Sequence, residues 1–152
     1  IIGFGPQKAR LENQIQQLDL ASSISLIGGK TGKELQDWFA SADIFIGPSI
    51  ITADGDTEGQ GVVFLEAMAS GTAVIASDVG GIKDAVRDNI SGLLVPEKNP
   101  QAIAEKVLTL AKNNQLKEKL IQNALELVRS DYSGEQSSQK FLTLYTQCLE
   151  KD

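Results

Sequence analysis

Two glutamates eight positions apart, Glu58 and Glu66, are the side chains of this sequence best placed to bind a ligand. Glu66 is the only charged residue in the apolar run 62–69, and a carboxylate among apolar neighbours is costly unless it is hydrogen-bonded or paired. Gly59 and Gly61 let the backbone approach another molecule where a helix begins, and free N–H groups there favour phosphate or an oxygen-rich sugar. The spacing of the two glutamates alone does not distinguish such a site from two structural acids, one a helix-dipole partner and the other a satisfied helix acid.

The alternation of strands and helices places this pair at the edge of a sheet. Short apolar strands are predicted at 1–2, 24–27, 43–47, 73–76 and 92–95, and helices at 7–18, from 31, from Glu58 and at 82–86. Short apolar strands separated by helices are typical of a parallel sheet covered on both faces. The predicted fold class is therefore α/β, a Rossmann-like three-layer sandwich with a mostly parallel sheet. Its ligands would bind beyond the carboxyl ends of the strands, where loops 3–5, 48–58 and 77–81 fall.

After residue 96 the pattern is wholly helical, with helices predicted at about 100–112, 115–129 and 135–149. The last helix is amphipathic, which favours ordinary packing on the sheet. Cys148 lies on its apolar stripe and is interpreted as a small core residue rather than a nucleophile. Trp38 recurs at helical spacing with Leu35 and Phe39 and is interpreted in the same way.

Composition excludes several classes of function. With 20 acidic and 14 basic residues the formal net charge is −6, which argues against a nucleic-acid or anionic-membrane surface. No apolar run approaches the ~20 residues of a membrane span. The single cysteine cannot form an internal disulfide, and the absence of histidine from these 152 residues excludes a histidine-dependent triad within them.

Three other site patterns are weaker. Asp54-Gly-Asp56 matches a short metal-diphosphate motif of other transferase folds, but a solvated acidic loop explains it better. As a calcium loop, the same segment fails at its twelfth position, Leu65, where a bidentate glutamate is needed. Gly3-Phe-Gly5 could open a dinucleotide-binding turn, but Lys8 stands where the third glycine would fall.

The segment 58–71, the strand 72–76 and the loop 77–81 together resemble the C-terminal donor-binding domain of the family 4 retaining glycosyltransferases, which have the GT-B fold. Further matching motifs are Gly3-Phe-Gly-Pro6, Leu26-Ile-Gly28, Ser41-Ala-Asp-Ile-Phe-Ile-Gly-Pro-Ser49 and Ser91-Gly-Leu-Leu-Val-Pro96. The resemblance covers about residues 1–130, and the last helix matches only in position and character.

The resemblance implies that residues 1–152 are a nucleotide-sugar binding domain truncated at its N-terminus. An acceptor domain, together with an upstream Arg and Lys that contact phosphate, would precede them. The fragment alone is therefore expected to be inactive, and part of the last helix would cross to the missing domain. A member of the family would work in the cytoplasm, with peripheral contact to the inner membrane through that domain.

The resemblance also implies roles for individual residues. Glu58 would be catalytic by bonding the donor sugar, Glu66 would accept both ribose hydroxyls, and the N–H groups of residues 59–62 would hold sugar and diphosphate. The donor-binding residues predicted in this way are Gly59, Gln60, Gly61, Val62, Glu66, Gly5 and Ser49. No metal or other cofactor is expected, because positive side chains and helix dipoles stabilise the leaving diphosphate. Gln60 replaces the aromatic or apolar residue usual between the two glycines, so it bears on sugar specificity.

The expected reaction is transfer of a hexose from a UDP- or GDP-sugar, with retention, to an acceptor sugar or lipid-linked glycan. The stretch 52–58 resembles bacterial members that build exopolysaccharides, so polysaccharide or glycoconjugate biosynthesis is the expected process. Two alternatives share the sheet and the nucleotide cleft: a GT-B-fold isomerase that acts on a nucleotide-sugar, and a domain that binds nucleotide without chemistry.

Overall fold

A computed structural model describes residues 1–149, which divide into two compact units, Ile1–Trp38 and a second unit that begins at Phe39. The first unit contains helix α1, Lys8–Gln17, and most of helix α2, Gly32–Ser41. The predicted strand 24–27 is not a regular strand in the described residues. Three hydrogen bonds between main-chain atoms join the segment 24–28 to the start of the chain. They run from the Ile1 ammonium to Ser25 O at 2.5 Å, from Ile27 N–H to Ile1 O at 3.0 Å and from Gly3 N–H to Gly28 O at 2.9 Å.

The second unit is built on three parallel strands in the order β1-β2-β3, which are Ile44–Gly47, Ala73–Ser77 and Leu93–Val95. Its helices are α3, Val62–Ala69; α4, Ile82–Ala85; α5, Pro100–Lys112; α6, Asn114–Asp131; and α7, Gly134–Leu149. The predicted α/β class and parallel sheet are confirmed.

All five residues of β2 are buried, so both of its faces are covered. On one face Ala73 and Ile75 join Leu93 and Val95 in a core closed by Leu110 of α5 and Leu120 of α6. The register pairs Phe45 with Val74, so these two side chains point to the opposite face. Phe45 there meets Phe39 of α2 and Phe64 of α3 edge to face, with ring centroids 5.3 and 5.5 Å apart. The second unit therefore has the three predicted layers.

Helix α3 begins at Val62, not at Glu58 as predicted. Gly61 precedes it with a φ of +68°, a left-handed conformation that a helix cannot continue and that glycine adopts without strain. The Glu58 carboxylate accepts a hydrogen bond from Gly61 N–H at 3.3 Å, so Glu58 lies in the loop before the helix. The side chain with the predicted catalytic role is therefore on a loop, and Glu66 is on the helix.

The predicted packing of the last helix on the sheet is wrong. No residue of α7, which is described as far as Leu149, is buried, and Cys148 is exposed. Trp38 is also 43% exposed, whereas Phe39 beside it is buried. Helical periodicity marks which face of a helix is apolar, but the depth to which that face is buried depends on what packs against it.

Polar contacts hold the end of α6 to α4 and the loop that follows it. The Tyr132 hydroxyl donates to Asp84 O at 2.6 Å, and the Arg87 guanidinium donates to the Asp131 carboxylate at 2.9 Å. A hydrogen bond from the Ser130 hydroxyl, and then the bond from Arg87, lower the pKa of Asp131 from its usual value. No helix among residues 1–149 is both long and apolar enough to span a membrane.

The contact between Gly47 and Phe64 gives a testable prediction for stability. A Cβ atom on Gly47 would lie 2.3 Å from two carbons of the Phe64 ring, a ring that is 1% exposed and cannot move aside. Gly47→Ala should therefore lower the free energy of unfolding by about 1–3 kcal/mol through overpacking, measured by urea denaturation of the full-length protein.

Gly134→Ala is the matched control, since no atom lies within 4 Å of the added methyl group. The control should leave stability unchanged or raise it slightly, because alanine favours helix. Adding Phe64→Leu to Gly47→Ala should recover part of the loss. Equal stability of the two glycine variants would contradict the packing argument.

Candidate functional site

The predicted site residues of the second unit lie at the carboxyl ends of its parallel strands. Three loops leave the sheet there, at 48–61 after β1, at 78–81 after β2 and at 96–99 after β3. Ligands of parallel α/β sheets bind at this edge. The loop 48–61, here called the donor loop, carries Ser49, which is half-buried, and Glu58 with its two glycines.

The end of the donor loop lies directly on the turn after β2. Gly81 N–H donates to Glu58 O at 3.3 Å. A Cβ atom on Gly80 would lie 2.2 Å from Glu58 O, and one on Gly81 would lie 2.0 Å from Gly59 O. Only glycine permits two backbones to approach this closely. The two consecutive glycines therefore determine where Glu58 and Gly59 lie.

The backbone between Glu58 and α3 presents unpaired donors. In the described residues no hydrogen bond uses the N–H groups of Gly59, Gln60 or Val62, whereas Gly61 N–H is bonded to the Glu58 carboxylate. Gly59 and Gln60 are exposed. Free N–H groups at the positive end of a helix favour an anion or the oxygens of a sugar. The segment can therefore hold a polar ligand through its backbone alone.

Glu66 lies on the outer side of α3, in its second turn. It is exposed, whereas Ala67 and Met68 beside it are buried. These two apolar neighbours of Glu66 are buried as expected, but its carboxylate is not enclosed among them, because those residues point to other sides of the helix. Within residues 1–149 no hydrogen bond or ion pair involves this carboxylate. It is therefore open to a ligand and is not a structural acid of the core.

The two glutamates are positioned in different ways. The helical rise of 1.5 Å per residue separates Gly61 from Glu66 by roughly 7.5 Å along the axis, a span comparable to that between the sugar and the ribose of one donor. The carboxylate of Glu58, which is half-buried, is restrained by Gly61 N–H. The two roles predicted for these residues stay predictions, but neither carboxylate is enclosed in the core.

Gly5, the remaining predicted donor residue, belongs to the first unit. It is exposed, and its carbonyl accepts a hydrogen bond from Lys8 N–H at 3.3 Å where α1 begins. A Cβ atom on Gly5 would have no atom within 4 Å, so side-chain crowding does not explain why glycine stands there.

Sequence reasoning missed two groups of residues that shape the site. The loop 77–81 was predicted at the ligand edge, but the roles of Gly80 and Gly81 within it were not; paired glycines close after a buried strand indicate a close backbone approach. Glu97 and Lys98 carried no such signal in the sequence, because their partner is Ile51, 46 and 47 positions away.

The acidic segment of the donor loop is a closed turn. The Thr52 hydroxyl accepts from Asp56 N–H at 3.0 Å, and residues 1–149 contain no group of three acidic or cysteine side chains that could hold a metal ion.

Comparison with known proteins agrees with this geometry. The sequence profile of the family described as glycosyl transferases group 1 matches residues 1–127. The amylovoran biosynthesis glycosyltransferase AmsK of Erwinia amylovora is 41% identical over 73% of this chain and 27% of its own length. A relative from Salmonella typhimurium, WcaL, named for colanic acid biosynthesis, is 34% identical over 95% of this chain and 36% of its own length.

Among solved structures, TarM of S. aureus, in a complex that contains UDP, superimposes with a TM-score of 0.79 at 29% identity over 95% of this chain and 28% of that one. The chain thus spans about a third of the length of the curated relatives. The profile match, the relatives and the parallel α/β fold agree, and this chain belongs to the glycosyl transferases group 1 family.

Proposed function

We propose that this chain is the donor-binding domain of a longer, retaining hexosyltransferase that moves a sugar from a UDP- or GDP-sugar to an acceptor hydroxyl. The process would be the biosynthesis of a bacterial polysaccharide or glycoconjugate, as the names of the AmsK and WcaL relatives suggest. The acceptor, a sugar or a lipid-linked glycan, would bind through a further domain. The proposal includes a cytoplasmic location with peripheral contact to the inner membrane.

One observation carries this proposal: two carboxylates outside the core flank the backbone segment 59–62, in which three N–H groups, those of Gly59, Gln60 and Val62, are unpaired in the described residues. A carboxylate without a protein partner offers two oxygens that can accept two hydroxyl hydrogens, which suits the vicinal hydroxyls of a ribose. Glu66 fits this role. Glu58, with one oxygen restrained by Gly61 N–H, fits contact with hydroxyls of the transferred sugar.

The unpaired N–H groups of Gly59, Gln60 and Val62 would meet the sugar and the diphosphate, and Ser49 would contact the donor from the start of the same loop. Negative charge develops on the departing diphosphate in the transition state, and preorganised N–H donors stabilise it without reorganisation. Basic side chains outside this chain would supply the remaining positive charge, since the formal charge of these residues is −6. No metal or cofactor is part of the proposal.

A product assay tests the proposed reaction. The full-length protein, incubated with a panel of UDP- and GDP-hexoses and candidate glycan acceptors, should give an acceptor-dependent glycoside whose anomeric configuration matches that of the donor, read by NMR. The activity should persist in a metal chelator. A new nucleotide-sugar formed without acceptor would instead identify an isomerase, and binding of nucleotide without any product would identify a domain without chemistry.

The two acids should respond differently to substitution. The bonds from Glu66 to a ribose are similar in the ground and transition states. Glu66→Ala should therefore chiefly raise the donor KM, with a loss of about 1–3 kcal/mol in the free energy of donor binding. Glu58 orients the reacting sugar, so Glu58→Ala should chiefly lower kcat and leave the affinity for the nucleoside diphosphate nearly intact. Steady-state kinetics and calorimetric titration with the diphosphate measure both effects.

Glu118→Ala is the control for loss of an exposed helical carboxylate, and it should change neither the donor KM nor kcat. If both Glu58→Ala and Glu66→Ala left donor kinetics unchanged, or if Glu66→Ala unfolded the protein, the assigned roles would be wrong.

The glycine turn after β2 gives a further prediction. Because a methyl group on Gly81 would meet Gly59 O at 2.0 Å, Gly81→Ala should displace the end of the donor loop and reduce kcat/KM for the nucleotide-sugar by at least tenfold. Gly71→Ala places its methyl group in open space, although at a φ of +79° it carries backbone strain of about 1 kcal/mol. This second variant should therefore lose stability and keep its donor kinetics. Equal kinetic losses would show that the effect of Gly81→Ala is not local.

A further inference from the structure

Glu97 and Lys98, in the loop after β3, bind the N–H group and the carbonyl of Ile51 in the donor loop. Ile51 N–H donates to Glu97 Oε2 at 2.9 Å, and the Lys98 ammonium donates to Ile51 O at 3.3 Å. The Lys98 ammonium also lies 3.5 Å from Glu97 Oε2. The three groups form a small polar clamp, here called the Ile51 clamp.

The donor loop has little else to hold its first half. Ile50 and Ile51 are 44% and 41% exposed, so burial of their side chains does not anchor the loop. The turn at 52–56 is bonded to itself, from Thr52 N–H to Asp56 O at 2.9 Å and from Gly55 N–H to Thr52 O at 3.0 Å. In the part of the chain that the structure describes, the two bonds at Ile51 are the hydrogen bonds that connect residues 49–57 to another segment.

The loop after β3 is shaped for this contact. Lys98 has a φ of +55°, a left-handed conformation that is uncommon for a residue with a side chain. The Glu97 side chain is 31% exposed, less than the 61% of Lys98 beside it. Strained backbone at the edge of a ligand site persists where the surrounding contacts require it.

We propose that Glu97 is a positioning residue for the transfer reaction, assisted by Lys98. By fixing Ile51, the clamp sets the path of the donor loop from Ser49 to Glu58 and so the orientation of the Glu58 carboxylate toward the sugar. Glu66 stands on a helix outside the loop and does not depend on the clamp. This inference rests on the proposed role of Glu58, and it predicts that the clamp serves the sugar and not the nucleotide.

The test compares Glu97→Ala, Glu97→Gln and the control Glu105→Ala in the full-length protein. Glu97→Ala should lower kcat/KM for the nucleotide-sugar by about tenfold or more, as expected for loss of a hydrogen bond to a charged group, and change the affinity for the nucleoside diphosphate less than twofold. Glu97→Gln keeps an oxygen that can accept from Ile51 N–H and should retain most of the activity. Glu105→Ala removes an exposed carboxylate on α5 and should change nothing.

Hydrogen–deuterium exchange gives a readout that does not need activity. Glu97→Ala should speed exchange in peptides that span 50–57 and leave the midpoint of global unfolding nearly unchanged, whereas Glu105→Ala should leave both unchanged. Equal losses of nucleotide-sugar and diphosphate affinity, or unchanged kinetics with faster exchange, would overturn the positioning role. If the wild-type protein transferred no sugar, the proposed function would fail and this role with it, and the exchange data would still report whether Glu97 holds the loop.

Discussion

The contact between Phe64 and Gly47 is the constraint on which the site depends. Phe64 is the third residue of α3, and its ring lies where Gly47, the last residue of β1, leaves no room for a side chain. Because the ring also packs against Phe45, the start of the helix is held at the end of the strand. Everything between them, including Glu58 and the unpaired N–H groups, must then form a loop above the carboxyl edge of the sheet.

That loop is held mostly through its backbone. At its far end Gly80 and Gly81 lie against the carbonyls of Glu58 and Gly59, and near its beginning Glu97 and Lys98 bind the N–H and carbonyl of Ile51. Contacts to backbone atoms do not depend on which side chain the loop residue carries. The side chains of Ile50 and Ile51 take no part in these contacts and are exposed.

Much of this arrangement could be predicted from the sequence. Short apolar runs fixed the positions of the three strands to within a residue or two, and the motifs around Glu58 and Glu66 identified the family. The start of α3 was misplaced, because it depends on the left-handed φ of Gly61. The prediction that Trp38 and Cys148 are buried was wrong. An apolar helical face shows which side of a helix is apolar, but not whether another element packs against that side. The clamp on Ile51 joins segments far apart in sequence, and no local pattern can encode it.

The division of the two acids between a loop and a helix has an evolutionary consequence. On the proposed roles, the sugar is met by a segment fastened at a few points, and the ribose is met by Glu66 on a helix whose neighbouring residues Ala67 and Met68 are buried in the core. Insertions and substitutions between residues 50 and 57 leave the packed interior untouched. Descendants of one ancestral gene can therefore diversify in the monosaccharide that they transfer while they keep the same nucleotide-binding helix.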